Sequence, residues 1–531
     1  MTSNWTGLRS RFAALLLGLP LLGSCGTGLA PVHPPAREPA ALTLLETSDL
    51  HGQTEPRKDP ATQHPMGGLV ALAAAIEHER QADPDGTLLL DAGDMLQGTT
   101  ISNLSQGRAI VDFMNLMRFD VAAVGNHEFD WGVLVLRDRM RQARFPILLA
   151  NMVEKQSGRA PPWAQPYAVV ERRHVRIAVI GLITIDTPLV TLPERVKDYA
   201  FLPPAEVANR LIAELVPARA DLAVLLCHIG AKPSAQGGEI SGELVELAKA
   251  VHGAAAILGG HTHQAFTETI AGIPVVEPGD RGQYLGRVKL HVLLATGPAA
   301  RPGQATVAVD GVEVLPVPSD GAPPEPAVTA LIDRYEKETS AALDEVLGEA
   351  ASPLERASRE CPLGNLFADV MRAAAGADLA FQNPLGIRAS LDAGPIRLRD
   401  VYNVMPFDNT LVVVSLTGAE VRALLEQATE RAKFLHASGL RYAIDTARPP
   451  GSRVTFTSPF DEARTYRVAV NNFMAQGGDG LALLTKHTEA KDTGILLRDA
   501  LADWIRAETR AGRKIEAKVE GRITQPAADV H

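Results

Sequence analysis

Short runs of almost wholly apolar residues recur up to about residue 320, and most of them end in a polar or glycine-rich segment. Runs of this kind are typical of strands that are buried on both faces of an α/β sheet. The stretches between them, such as GLVALAAAIEHERQA and PAEVANRLIAELVPA, have the apolar spacing of amphipathic helices. The predicted strands are ALTLLETS, GTLLLDAG, DVAAVGN, PILLAN, RIAVIGLI, LAVLLCH and AAAILGG.

A second unit of the same class follows a proline-rich boundary at residues 314–326. The next segment, AVTALIDRYEKETSAALDEVLGEA, predicts one long helix, and further strands are expected near LAFQN, TLVVVSL and TYRVAVNN. The pattern therefore predicts an α/β domain over residues 41–320, a linker helix over 321–350 and a second α/β domain over 351–525. We expect the domains to hinge near residues 345–352, because only the helix connects them.

The N-terminal segment predicts export. Residues 1–25 place two arginines ahead of a short apolar run, as in a signal peptide. The segment Leu22–Cys25 (LGSC) resembles the lipobox of bacterial lipoproteins, so Cys25 is expected to carry lipid and residues 26–40 to form a tether. A plain cleaved signal is the alternative. The other two cysteines, Cys227 and Cys361, are predicted to be free, buried thiols.

Charge and composition indicate which kinds of ligand the protein could bind. The 531 residues carry a net charge of −10, with 46% hydrophobic and 21% charged residues. These values are ordinary for a globular protein with sizeable cores, and no dense basic run is present. The negative net charge and the absence of a basic run argue against a protein that binds a long stretch of nucleic acid. They are compatible with an enzyme that recognises only a terminal phosphate.

Five of the predicted strands end in residues of the types that can bind metals. Because the carboxyl ends of strands in an α/β sheet meet at one crevice, these side chains are expected to converge. Alternate spacing, as in D-x-H and H-x-H, directs both side chains to the same side of an extended segment. The residues are Asp49, His51, Asp91, Asp94, Asn126, His127, Asp130, His228, His261 and His263.

This mixture of imidazole, carboxylate and amide groups fits a two-metal site of Zn, Mn, Co or Fe rather than a dedicated Ca or Mg cage. Two such cations act together when a carboxylate bridges them about 3.5–4 Å apart, so that both polarise one phosphoryl group and the attacking water. Cys227 is adjacent to His228 on its strand. It is therefore expected to point to the opposite face, into the core.

The ordered set D-x-H, G-D, G-N-H-E, an isolated H and G-G-H-x-H resembles the signature of calcineurin-like metallophosphoesterases. GNHEFD and the C-terminal motifs narrow the resemblance to the 5′-nucleotidase family, which includes bacterial periplasmic 5′-nucleotidases, UDP-sugar hydrolases and 2′,3′-cyclic-nucleotide phosphodiesterases. The resemblance covers roughly residues 40–520. It implies an N-terminal metallophosphoesterase β-sandwich flanked by helices, joined by a long helix to a smaller α/β C-terminal domain.

The resemblance also implies a role for each residue at the strand ends. His127 matches the catalytic histidine of the family, and Asp130 matches the carboxylate that orients it. Asp91 and Glu128 are expected to support the loops rather than to bind metal. One divalent cation would be bound by Asp49, His51, Asp94 and His263, and the other by Asp94, Asn126, His228 and His261, with Asp94 as the bridge.

Segments of the C-terminal half resemble motifs of the family's second domain, namely RASRECPLGN, NPLGIR, MPFDN and NNFMAQGGDG. The resemblance implies that Phe407 and Phe473 sandwich a nucleobase by stacking on it. Asp479 would reach the ribose hydroxyls. Asn383 and Arg388 would face polar and phosphate groups of the ligand, since a guanidinium gives the planar fork that phosphate favours.

Two departures from the family pattern concern the phosphate side of this domain. Pro384 and Leu385 replace two glycines of the family's N-G-G-G-I-R motif, so close approach of the backbone to a ligand is less assured. Relatives carry an arginine at the position of Ala357. Either Arg356 or Arg359 would have to take its place.

Together these residues predict dinuclear metal-dependent hydrolysis of extracytoplasmic nucleotides, with a nucleoside 5′-monophosphate, cleaved to nucleoside and phosphate, as the leading substrate. UDP-sugars, dinucleotides and 2′,3′-cyclic nucleotides are alternative substrates. The alternative outside the enzymes is a non-catalytic lipoprotein that binds a nucleotide or a metal.

The expected location is the periplasm. Contact with a membrane, with the outer membrane favoured, is expected through the lipid anchor only, and a soluble periplasmic or secreted protein is the alternative. Neither a nucleic-acid polymer nor an obligate protein partner is expected.

Overall fold

The computed structural model describes residues 39–59, 62–233, 240–295, 305–357, 359–430, 434–487 and 489–524. The predicted signal, the lipobox with Cys25 and the tether up to residue 38 lie outside these residues. Among the helices of the described ranges, none is long and apolar enough to cross a membrane.

Two six-stranded sheets form the N-terminal half, and their facing surfaces enclose an apolar core. Leu44 of the first sheet and Val224 of the second are fully buried in this core. In sheet order, the first contains Thr306–Pro316, Tyr284–Leu293, Ala40–Thr47, Thr87–Asp91, Val121–Ala123 and Ile147–Leu148, and the second contains Ala265–Ile270, Ile273–Pro278, Ala254–Leu258, Leu222–His228, Val175–Ile183 and Tyr167–Arg172.

Parallel pairing brings the ends of the ligand-bearing strands to one edge of each sheet. In the first sheet Thr47 is aligned with Asp91, and Asp91 with Ala122. In the second sheet Leu226 is aligned with Leu258. The loops that follow these strands therefore leave the sheets at corresponding ends, as the rule for α/β sheets predicts.

Helices cover the outer faces of the two sheets and bury a second layer of apolar residues on each. Two of them, Leu69–Ala82 and Pro204–Leu215, are the amphipathic segments that the sequence predicts. Cys227 lies in the layer between the second sheet and its helices, away from the ligand face, as expected. The other helices of this half are Thr100–Leu104, Arg108–Leu116, Val133–Gln142, Thr187–Val190, Pro193–Val196 and Glu243–Ala250.

Three short strand pairs complete the N-terminal half. They are Arg57–Lys58 with Pro65–Met66, Met152–Glu154 with Tyr199–Phe201, and Lys232–Pro233 with Ile240–Ser241.

The helix between the two halves is shorter than the linker helix predicted over residues 321–350. It spans Pro326–Leu343, and Val346–Ala350 forms a strand that pairs with Gly394–Arg397 of the C-terminal half. Sheet pairing overrides the helix propensity of this segment, because it satisfies the backbone and buries Leu347. The hinge expected near residues 345–352 stays a prediction.

The C-terminal half contains a five-stranded and a three-stranded sheet with helices around them. In sheet order, the strands of the first are His436–Ser438, Leu379–Gln382, Thr465–Asn471, Thr410–Thr417 and Lys491–Leu496, and those of the second are Val454–Phe456, Tyr442–Ile444 and Ile523–Thr524. The helices are Pro362–Ala375, Leu398–Val404, Gly418–Glu430, Asn472–Ala475 and Leu497–Arg510.

The chain thus has the mixed α/β architecture in two halves that the sequence predicts. Cys361 is free and buried, as expected.

Candidate active site

Five of the seven predicted metal ligands have left-handed backbone geometry. Their φ angles lie between 47° and 78°, a region that residues other than glycine seldom occupy, although Asp, Asn and His do so more often than most. Each such residue costs about 1–3 kcal/mol and persists only where the surrounding structure imposes it. The residues are Asp49, His51, Asp94, His261 and His263.

Glycines allow the strand-end loops to approach each other. A side chain at Gly125 would meet the backbone nitrogen and carboxylate of Asp94, and one at Gly260 would meet Ser48 and Asp49. The glycines that precede the N-H-E and H-x-H segments are therefore required by close packing.

The first group of candidate ligands comprises Asp49, His51 and His263, whose ligand atoms lie within 4.8 Å of one another. The Nε2 atoms of His51 and His263 are 3.0 Å apart, and His263 Nε2 lies 3.3 Å from Asp49 Oδ1. Asp49 is fully buried, and within the described part of the chain its Oδ1 has no hydrogen-bond partner.

The second group comprises Asp94, His228 and His261. His228 Nε2 is 3.1 Å from Asp94 Oδ2 and 3.3 Å from His261 Nδ1. Asn126 extends this group, because its Oδ1 lies 3.1 Å from the same His228 nitrogen while its Nδ2 donates to the Val190 carbonyl at 3.2 Å. The structure thus brings together all seven residues that the sequence proposes as ligands.

The chemistry of these donors fits divalent cations. Imidazole nitrogens approach each other within both groups, and a divalent cation between them would bind the lone pairs of both rings. Burial lowers the pKa of His51 well below its ordinary value and that of His261 to about 3, so both are neutral, as metal ligands must be.

Polar contacts on the far nitrogen orient three of the four imidazoles. His51 Nδ1 lies 2.8 Å from the Gln97 carbonyl, and His228 Nδ1 lies 3.0 Å from the Ala92 carbonyl. His263 Nδ1 faces Asp280 at 3.3 Å. Contacts of this kind hold a metal-binding histidine in one tautomer and leave the other nitrogen for the metal.

His127 differs from its neighbours. Its Nδ1 is 2.7 Å from Asp130 Oδ2, and Thr191 donates to the other oxygen of that carboxylate at 3.1 Å. Burial lowers the pKa of His127, but Asp130 and Asp94 outweigh that effect and hold it above its ordinary value. A protonated or readily protonated imidazole therefore lines the cleft beside the second group of ligands.

Glu128 accepts its hydrogen bonds from backbone amides rather than from the side chains of the predicted metal ligands. Its carboxylate accepts hydrogen bonds from Gly125 at 2.7 Å, Asp94 at 2.9 Å and Leu96 at 3.1 Å. It thereby ties the loop after Thr87–Asp91 to the loop after Val121–Ala123. Burial and the charge of Asp94 raise the pKa of Glu128 to about 7.

Asp91 also supports the loops, as expected. It accepts hydrogen bonds from Thr47 Oγ1 at 2.6 Å and from the Gly93 amide at 2.9 Å, and it belongs to neither ligand group.

Two acidic residues that sequence reasoning missed support the H-x-H loop. Glu277 is fully buried and accepts hydrogen bonds from Thr262 Oγ1 at 2.6 Å and from the Gln264 amide at 3.2 Å. Asp280 faces His263 and also pairs with Arg281. A lone carboxylate in the otherwise apolar run IPVVEP was the available signal for Glu277.

A cleft of about 280 Å³ opens over the two ligand groups, and both halves of the chain line it. His127, His261 and His263 come from the N-terminal half. The C-terminal half contributes all five predicted substrate residues, which are Asn383, Arg388, Phe407, Phe473 and Asp479.

The two halves are in direct contact at this cleft. The Phe407 ring stacks on His127, with centroids 5.7 Å apart, and Arg388 Nη2 lies 3.4 Å from His51 Nε2. Asn103 also donates to the Pro406 carbonyl at 3.1 Å. The substrate residues predicted in the second half are thus brought next to the predicted metal ligands of the first.

The side-chain amide of Asn383 forms hydrogen bonds with other protein side chains at the edge of the cleft. Its Nδ2 donates to Asp479 Oδ2 at 2.8 Å, and its Oδ1 accepts from Asn471 at 2.8 Å. It therefore orients Asp479, which has left-handed backbone geometry with φ of 57°. Leu385, one of the residues that replace family glycines, is 47% exposed and adds an apolar side chain to the cleft.

Arg356, rather than Arg359, lies next to Arg388. Its Nη1 donates to the Arg388 carbonyl at 3.2 Å, whereas Arg359 is exposed to solvent. Relatives carry an arginine at the position that Ala357 occupies here. The contact with Arg388 favours Arg356 as the residue that replaces it.

Comparison with known proteins agrees with this arrangement. The sequence model described as calcineurin-like phosphoesterase matches residues 42–265, and the one described as 5′-nucleotidase, C-terminal domain, matches residues 342–486. The crystal structure of a 5′-nucleotidase precursor from Thermus thermophilus is 33% identical, with a TM-score of 0.80, and the match covers 92% of this chain and 100% of that one.

Two curated bacterial proteins are similar at lower identity. Protein UshA of Escherichia coli is 28% identical over 87% of this chain and 90% of its own length. Endonuclease YhcR of Bacillus subtilis is 29% identical over 83% of this chain. The chain spans only 37% of the length of YhcR.

Replacing Glu128 with glutamine tests the loop connection described above. An amide offers one oxygen in place of two and turns an NH2 group toward backbone donors, so the Asp94 and Asn126 loops should separate. We expect Glu128→Gln to weaken Mn²⁺ binding about 10–100-fold, as measured by competition with a chelating dye. The control is Glu214→Gln at an exposed position. Equal affinity in Glu128→Gln and wild type would contradict the assignment.

Proposed function

The chain belongs to the 5′-nucleotidase family of calcineurin-like phosphoesterases, and from this we propose that it hydrolyses phosphate esters of nucleotides, with nucleoside 5′-monophosphates as the main substrates. The products would be nucleoside and phosphate. The observation that carries the proposal is the position of the His127–Asp130 pair, which lines one cleft together with two groups of metal-type ligands and two phenylalanines.

Two divalent cations are part of the proposal. Asp49, His51 and His263 would hold one of them and Asn126, His228 and His261 the other, with Asp94 shared between the two. When bound, such cations polarise a phosphoryl group and lower the pKa of water at the site. The donor set, which is rich in imidazole, favours Zn, Mn, Co or Fe.

His127 would act on the substrate rather than on a metal. Asp130 fixes the proton on Nδ1, so that Nε2 is the nitrogen available to the cleft. A proton on Nε2 would then donate a hydrogen bond to a phosphoryl or leaving-group oxygen as negative charge develops there. Both the Asp130 pairing and the raised pKa of His127 support this protonated form.

The C-terminal half would select the nucleotide. Phe407 and Phe473 would stack on the base, Asp479 would accept hydrogen bonds from ribose hydroxyls, and Arg388 would bind phosphate oxygens. Because Arg388 lies 3.4 Å from His51, a phosphate that it binds is held next to the first ligand group. This geometry supports cleavage at a phosphate attached to the nucleoside.

Export with a lipid anchor on Cys25 remains part of the proposal and rests on the sequence of residues 1–25. The membrane would be contacted through this anchor only.

Metal exchange and two substitutions test the proposed roles. We expect the metal-free protein to regain hydrolysis of AMP when Mn, Co or Zn is added. His127→Ala should keep both metals but lose about 10²–10⁴-fold in kcat, whereas Asp94→Asn should lose metal as well. Phosphate release and metal content per chain are the measurements.

The matched control is His174→Ala, since that side chain is 85% exposed. Failure of the loaded protein on AMP, UDP-glucose and 2′,3′-cyclic AMP with all three metals would contradict the proposal and favour a non-catalytic binding protein. Loss of metal from His127→Ala would contradict the proposal that His127 acts on the substrate and does not bind metal.

Base stacking is tested best at Phe473, because Phe407 also contacts His127. Loss of one stacked ring costs about 1–3 kcal/mol, so Phe473→Ala should raise KM for AMP about 5- to 150-fold. Ribose 5-phosphate, which lacks the base, serves as the control substrate, and its kcat/KM should change little. An equal loss of kcat/KM for both substrates would mean that Phe473 stabilises the fold and does not stack on the base.

A further inference from the structure

A second cavity lies outside the candidate active site, between the helix Val133–Gln142 and the segment 161–165. Its volume is about 360 Å³, within the range of roughly 300–1,000 Å³ that is usual for sites that bind small molecules. None of the residues that line it also lines the main cleft. They include Arg137, Met140, Phe145, Ile147, Trp163 and Gln165.

The cavity lies at one edge of the first sheet. The strand Ile147–Leu148 is the last of that sheet, and the segment 161–165 lies beside it, since the Leu149 amide donates to the Gln165 carbonyl at 2.8 Å. Two prolines at positions 161 and 162 precede Trp163 and restrict the backbone there. The wall that this segment forms is therefore held in place by the fold.

Apolar and aromatic side chains form most of the cavity wall. Phe145 and Ile147 are buried, and Met140 and Trp163 pack against the same apolar cluster. The Trp163 ring makes an edge contact with Tyr199, with centroids 6.3 Å apart, which orients the indole. Because Trp163 is only partly buried, it offers a flat surface on which another ring can stack, and the methionine sulfur favours the same kind of neighbour.

Arg137 brings a positive charge to this cavity without a carboxylate to balance it. Its side chain is partly buried, and no ion pair joins it to another residue of the described ranges. Arg141, which also lines the cavity, is instead paired with Asp138. Partial loss of hydration makes an anionic partner favourable for Arg137, and a guanidinium binds carboxylate or phosphate with two parallel hydrogen bonds.

We propose that this cavity is a second ligand site, which binds a planar aromatic anion whose ring stacks on Trp163 and whose acidic group binds Arg137. A free aromatic carboxylate and a nucleoside monophosphate share this chemistry. The inference goes beyond the proposed function, because it concerns a separate site and requires no turnover.

Fluorescence titration of the full chain with anilinonaphthalene sulfonate, an aromatic anion whose emission rises in apolar surroundings, tests the cavity. We expect Arg137→Gln to weaken binding of this dye about 10- to 150-fold, because a hydrogen bond between charged groups is lost. Trp163→Ala should weaken it as well, through loss of the stacking surface. Arg144→Gln, at an exposed position that does not line the cavity, is the matched control and should bind as wild type does.

Two further measurements show that the effect belongs to this cavity. The midpoint of thermal unfolding of Arg137→Gln should equal that of wild type, since the side chain has no ion pair to lose within the described ranges. Phe473→Ala, which alters the main cleft, should leave the binding that depends on Arg137 unchanged.

Displacement of the dye distinguishes the two sources of the anion. The titration uses Phe473→Ala with a chelator present, so that AMP is neither held in the main cleft by this ring nor hydrolysed. If the ligand is a nucleotide, AMP should displace the dye at a lower concentration than indoleacetate does. If the ligand is an aromatic carboxylate, the order should be reversed.

Binding of the dye by Arg137→Gln and Trp163→Ala with wild-type affinity would overturn the proposal, and so would failure of both AMP and indoleacetate to displace it. A chain that binds the dye through Arg137 but does not hydrolyse AMP would contradict the proposed function and leave the second site standing.

Discussion

Buried carboxylates behind the candidate ligands are the constraint on which the site depends. Glu128 accepts hydrogen bonds from three amides of two loops, and Glu277 holds the H-x-H loop through Thr262 and Gln264. These bonds hold the segments around Asp94, His261 and His263, which are three of the five candidate ligands with left-handed backbone geometry. Without them the strand ends would still converge, but the side chains would not share the same small volume.

Contacts between the two halves bring the candidate ligands and the proposed substrate residues together. The first half supplies the ligand groups and His127, and the second half supplies the aromatic rings and Arg388. The stacking of Phe407 on His127 and the approach of Arg388 to His51 place the proposed nucleotide-binding residues next to the candidate ligands.

The sequence predicted the parts of the site that depend on local pattern. Apolar runs followed by Asp, Asn or His identify the strand ends, and parallel sheets bring such ends together. The family resemblance then selected seven proposed ligands among the polar residues at these ends. The same pattern predicted the two α/β halves. Its error at the linker helix has a physical cause, since pairing of Val346–Ala350 with Gly394–Arg397 overrides local propensity.

The supporting residues could not be predicted in the same way, because their roles depend on contacts between distant segments. Asp280 meets His263 only in the folded chain, and Asn383 was expected to face the ligand although most of its bonds go to Asp479 and Asn471. The choice between Arg356 and Arg359 likewise needed the position of Arg388.

We propose that seven side chains hold two cations while His127 stays free for the substrate. Anomalous diffraction from crystals of the Mn²⁺-loaded protein tests it most directly. We expect two peaks about 3.5–4 Å apart, with Asp94 between them and His127 bound to neither. A single peak, or a peak at bonding distance from His127 Nε2, would contradict it.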